Sequence, residues 1–123
     1  MRKGCSALSD FADLSVISDV NFDEVLSASG AEFWLLDFGA DWCEPCKAMD
    51  PIVADIAEEF RSLVRVGRVD LDESPGLAER FKVVSIPSLL LLEGPTVKLR
   101  LRGVQSRDEI RAALSQAVTS AGN

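Results

Sequence analysis

Histidine does not occur in this chain, and its 123 residues include only three cysteines. Those shortages bound its metal chemistry. A closed four-ligand zinc site would have to add Cys5 and a carboxylate, or a second chain, to the one close thiol pair, Cys43 and Cys46. No metal site is expected. Three cysteines are also too few and too unevenly spaced for the disulfide scaffold of a small secreted domain, and the odd one, Cys5, reads as a free surface thiol.

Positive charge is in short supply as well, with 13 Lys and Arg against 20 Asp and Glu for a net of −7. An excess of that sign repels phosphate backbones and anionic lipid, and no basic arm reverses it locally. Neither nucleic acid nor a membrane is an expected partner. Long apolar runs are missing too, since nothing approaches the about 20 residues of a membrane span. Arg2 and Lys3 are followed by recurring Ser, Asp and Gly through residue 19 rather than by the apolar centre of an export signal. A cytoplasmic protein acting as a monomer is the expectation.

What is present is enough apolar material for one core, 47% of a chain whose length suits a single domain. Residues 1–14 carry little pattern and read as a loosely held extension, leaving 15–121 as the folded domain. Leu14-Ser15-Val16-Ile17 spells a short edge strand. Asn21 with Glu24 offers a capping-box start to a helix that Gly30 ends. From Glu32 to Ala40 the run is apolar nearly throughout, as in a strand covered on both faces, which makes the charged residue in its interior, Asp37, conspicuous.

Beyond Cys43 a helix pattern begins, with Pro51 set to kink it and Ile52, Val53, Ile56, Ala57 and Phe60 on one face. Val64 to Leu71 is another strand. Ser74 is placed to cap a short helix with Pro75 in its first turn, lasting to about Phe81. Ser88–Leu92 and Val97–Arg102, joined by Glu93-Gly94-Pro95-Thr96, form an antiparallel hairpin. Gly103 breaks the second strand, and Ser106 with Glu109 makes a capping box for a last helix. The order β-α-β-α-β-α-β-β-α predicts one mixed sheet with helices on both sides.

Chemistry concentrates between Asp37 and Lys47. A strand that turns into a helix delivers Cys43 to the helix N-terminus, where unpaired N–H groups and the positive end of the dipole favour a thiolate. Cys46 falls one turn further on, within reach of a disulfide. Pro45 is tolerated between them because the N–H it lacks would have no intrahelical partner.

Within this β/α order, Trp42-Cys43-Glu44-Pro45-Cys46-Lys47 resembles the active site of the thioredoxin family. Asp37 stands where that family keeps a buried acid, Ile86-Pro87 where it keeps a cis-proline facing the disulfide, Pro51 at its helix kink, and Gly103 at the glycine that opens its substrate groove. The resemblance extends from about Val16 to Ala117. It implies an α/β thioredoxin fold, a central mixed five-stranded sheet flanked by four helices. It also implies a protein-disulfide reductase with Cys43 as nucleophile, Cys46 as resolving thiol and Asp37 as proton acceptor.

By the same resemblance, Trp42, Glu44, Pro45, Ser85, Ile86, Pro87 and Gly103 meet the substrate, the backbone of Ser85 pairing with an extended segment as an added strand would. The partners implied are disulfide-containing proteins and a thioredoxin reductase. No cofactor is implied beyond the Cys43–Cys46 disulfide itself. The alternative is a thioredoxin fold that docks a partner or assists folding without redox turnover, which would need neither the thiol pair nor Asp37.

Four residues depart from the family's pattern. Glu44 replaces a glycine, and a carboxylate there disfavours the Cys43 thiolate and makes the couple more reducing. Arg102 replaces an apolar groove residue and would offset Glu44 if it faced the site. Arg68 stands where the family often has lysine, and its permanent charge would hold the Asp37 pKa lower. Gly39 replaces a tryptophan beside the active-site helix, leaving a smaller wall.

Overall fold

A computed structural model describes residues 14–121, and the nine elements follow the expected order. The strands are β1 (Leu14–Ile17), β2 (Phe33–Gly39), β3 (Val64–Asp70), β4 (Ser88–Glu93) and β5 (Thr96–Arg102). The helices are α1 (Phe22–Ser29), α2 (Glu44–Glu59), α3 (Pro75–Arg80) and α4 (Arg107–Ala121). The extension read over residues 1–14 lies, apart from Leu14, outside the described residues.

The sheet runs β1-β3-β2-β4-β5. Both neighbours of β3 are parallel to it, whereas β4 is antiparallel to β2 and to β5. The hairpin turns on Gly94, whose φ of 58° suits glycine.

Alternation along β2 sorts its side chains between two cores. Phe33 and Leu35 face Met49, Val53 and Ile56 of α2 and Ile110 and Leu114 of α4. Trp34, Leu36 and Phe38 face Phe22 of α1 and Leu77 and Ala78 of α3. With a period of two, Asp37 belongs to the α2 side, and there it is buried, 5% exposed, instead of reaching solvent at a strand end. On β3 the same alternation puts Arg68 on that face, in register with Asp37. Gly67 on the opposite face makes room for Ile17 and Trp34, because a Cβ there would come within 2.5 Å of Ile17.

The capping expectations divide. Ser106 and Glu109 form the reciprocal box, Ser106 N–H donating to Glu109 (2.8 Å) and Glu109 N–H to Ser106 Oγ (3.1 Å). Asn21 does not cap α1 with its side chain. Its amide turns back instead, accepting from Ser18 N–H at 2.8 Å and donating to the Val16 carbonyl at 3.0 Å, and so fastens the β1–α1 turn. Ser74 does not cap α3 either, and its buried hydroxyl has no partner among the described residues. The amides of Gly76 and Leu77 are taken by Asp19, at 2.9 and 2.7 Å, which displaces the local cap. Helix α2 runs on through Pro51 from Glu44 to Glu59.

Candidate active site

Strand β2 ends in the centre of the sheet, and the turn Ala40-Asp41-Trp42 carries the chain into α2. Cys43 N–H donates to the Ala40 carbonyl at 3.1 Å, which closes that turn. Cys43 is then the N-cap residue, with extended φ and ψ of −93° and 103°, and its sulfur accepts from Cys46 N–H at 3.2 Å. The cysteine thus occupies the position in which serine or aspartate usually caps a helix. A thiolate there faces donors that have no other partner. Cys43 and Cys46 are joined as a disulfide, with Cα atoms 5.2 Å apart, and both residues are buried.

The Ile86–Pro87 peptide bond is cis, as the resemblance implied. Two hydrogen bonds set the loop around it, Ser88 Oγ donating to the Ser85 carbonyl and Gly103 N–H donating to the Pro87 carbonyl, both at 2.8 Å. Gly103 does so with a φ of 81°, a conformation open to glycine and disfavoured for other residues.

Ser85 and Ile86 meet Trp42, Cys43, Glu44 and Pro45 across a groove of about 570 Å³, with Leu71 and Val84 along its side. Trp42 and Val84 are strongly exposed, so the groove has an apolar rim. Trp42 is held there by its indole N–H, which donates to Asp72 at 2.7 Å. Pro87 is buried next to the groove in the chain, and Gly103 is tied to it through the bond just described. The structure therefore gathers all of the expected recognition residues at one end of the sheet.

A different space adjoins Cys46. A cavity of about 270 Å³ is lined by Cys46, Asp37, Gly39, Lys47, Asp50 and Arg68. Gly39 belongs to this wall because there is little room for more, a Cβ placed there lying 3.3 Å from Cys46 Sγ. Burial pushes the Asp37 carboxyl up to about 6, against the attraction of Arg68 and with help from the negative charge of Asp50. Arg68 thus acts in the expected direction, but desolvation outweighs it.

Arg68 is also paired with Asp50, a residue the sequence reading passed over. Its signal was available, since Asp50 follows Cys46 by four residues on a helix and so shares its face. Glu44 is exposed and pairs with Lys47 at 3.5 Å. Arg102 is exposed at the end of β5 and is not among the residues lining the groove, so the counter-charge to Glu44 comes from Lys47 instead. Among the described residues no cluster of metal-ligating side chains is found, and no helix is long and apolar enough to cross a membrane.

Comparison with known proteins agrees with this geometry. The thioredoxin family model matches residues 13–116. A thioredoxin from Buchnera aphidicola is 35% identical over 102 residues, covering 83% of this chain and 94% of that protein. The bifunctional thioredoxin reductase/thioredoxin of Mycobacterium leprae is 34% identical over 117 residues, which cover 92% of this chain but 25% of that longer protein. Among solved structures, a mutant thioredoxin from Halobacterium salinarum superposes with a TM-score of 0.75 at 28% identity, covering 85% of this chain and 89% of the other. With a closed Cys43–Cys46 pair at the head of α2 and a cis-proline loop beside it, the chain belongs to the thioredoxin family and is a dithiol/disulfide oxidoreductase.

Proposed function

We propose that this protein is a general reductant of protein disulfides in the cytoplasm, working as a monomer with its own Cys43–Cys46 pair as the only redox group. The observation that carries the reading is the unequal setting of the two sulfurs, one residue lining the open groove and the other lining the charged cavity. In the reduced protein the Cys43 thiolate attacks a substrate sulfur, forming a mixed disulfide and expelling one substrate thiolate. Asp37 then accepts the proton of Cys46, whose thiolate attacks Cys43. The second substrate thiolate leaves, the substrate has gained two electrons, and Cys43–Cys46 is oxidised.

The extended substrate segment lies along Ser85 and Ile86, with Trp42, Glu44 and Pro45 opposite and Pro87 and Gly103 holding the loop in shape. A thioredoxin reductase returns the electrons, a partner suggested by the relative in which reductase and thioredoxin share one chain. The test is reduction of insulin by dithiothreitol, which the purified protein accelerates under this reading. Absence of acceleration, with partner binding retained in a Cys43→Ser/Cys46→Ser variant, would instead establish a docking module.

A further inference from the structure

Cys46 and Asp50 share a face of α2, and Asp37 and Arg68 are registered neighbours on β2 and β3, so the four line one cavity. Asp50 and Arg68 form an ion pair across it, and neither is fully buried, with side-chain exposures of 29% and 38%. The charged groups that act on Asp37 from the packed elements are these two, Arg68 from β3 and Asp50 from α2. Strand β4, its other neighbour, presents Leu89 there and adds no charge. Lys47, Asp41 and Asp70 complete the charged lining of the cavity.

A lone guanidinium beside a buried carboxylate would stabilise its ionised form and strip it of basicity toward a thiol. Asp50 supplies that guanidinium with a second carboxylate. We propose that Asp50 is a positioning residue for the resolving step: by pairing with Arg68 it divides the guanidinium between two acids, so that Asp37 remains basic enough to take the Cys46 proton and can pass it to water in the shared cavity. The proposal rests on the reading of Asp37 as that acceptor. The balance of the step is unchanged: the S–H of Cys46 breaks, its proton goes to the Asp37 carboxylate, the Cys43–Cys46 bond forms and the bond from Cys43 to the substrate breaks.

The experiment mixes reduced protein with a symmetrical aromatic disulfide whose released thiolate is coloured, in a stopped-flow instrument across a range of pH. The first equivalent of colour reports attack by Cys43 and the second reports resolution by Cys46. Removing the charge of Asp50 favours ionised Asp37, so in Asp50→Asn the midpoint of the acid limb of the second phase falls by roughly half a pH unit. Asp50→Glu, which keeps the charge and the pair, follows the parent protein. Arg68→Gln moves the midpoint the other way. The carbon-13 shift of the Asp37 carboxyl, titrated in the oxidised protein, reads the same displacements without turnover.

An Asp50→Asn profile that superimposes on the parent, while Asp37→Asn flattens the limb, overturns the role of Asp50 and leaves that of Asp37 intact. A limb that survives Asp37→Asn overturns both.

Discussion

The surroundings of Cys43 and Cys46 differ more than one helical turn would suggest. Cys43 borders an open groove whose rim is Trp42 and Val84, while Cys46 borders a cavity whose charged walls include Asp37, Asp50 and Arg68. A disulfide is symmetrical as a bond, so the assignment of one sulfur to attack and the other to resolution has to come from outside it. Under the proposed mechanism the helix N-terminus and groove serve the first, and the charged cavity serves the second. That mechanism keeps recognition and proton handling apart, on opposite sides of one disulfide.

The sharpest way to break that comparison is to delete each sulfur in turn. Cys43→Ser abolishes disulfide reduction, whereas Cys46→Ser still attacks and accumulates mixed disulfides, visible as adducts by mass spectrometry. The opposite pattern would exchange the two roles.

The next largest effect falls on the cavity side. Folded Asp37 keeps its proton up to about pH 6, while its ordinary value is 3.8. The native state therefore binds more protons than the unfolded chain between those values, and stability falls as pH rises through that window. Asp37→Asn removes the penalty. It is expected to stabilise the oxidised protein by up to about 3 kcal/mol above neutral pH, the gain vanishing below the lower value. Urea unfolding at an acid and an alkaline pH measures it, and the same variant should slow resolution without weakening substrate binding.

On the groove side, Gly103→Ala meets no neighbour within 4 Å of the added Cβ but inherits a φ of 81°. The cost is then conformational, about 1–2 kcal/mol of stability in thermal unfolding, with a raised KM for protein substrates because Gly103 N–H holds the Pro87 carbonyl. Smallest of all is Asp72→Ala, which releases the indole of Trp42. Both side chains are exposed, so stability should change by no more than about 0.5 kcal/mol. A modest rise in KM with kcat preserved would show that the rim recognises rather than reacts.

How much of this was legible depended on how far apart in the chain the partners lie. Apolar patterning together with cap and turn residues marked all nine elements, and the apolar run around Asp37 singled that residue out. The Ser106 and Glu109 box was readable because its partners are three residues apart. Asn21 and Ser74 carry the same kind of local signal and do not cap, because a side chain chooses among all the donors that the fold brings near it. Asp19 reaches α3 across 57 and 58 residues, and no short-range rule finds such a bond. The pairing of Asp50 with Arg68 was hidden for the same reason, although the helical spacing from Cys46 already pointed at Asp50.

That reach of Asp19 has a consequence for the groove. Helix α3 is followed directly by the segment that bears Val84, Ser85 and Ile86, so whatever anchors the start of the helix also steadies this wall of the groove. The anchor is a single carboxylate from the turn after β1, clasping two amides at once. A substitution that removed it would slacken the loop from behind, and a defect written near the front of the chain would surface as poorer grip on substrates.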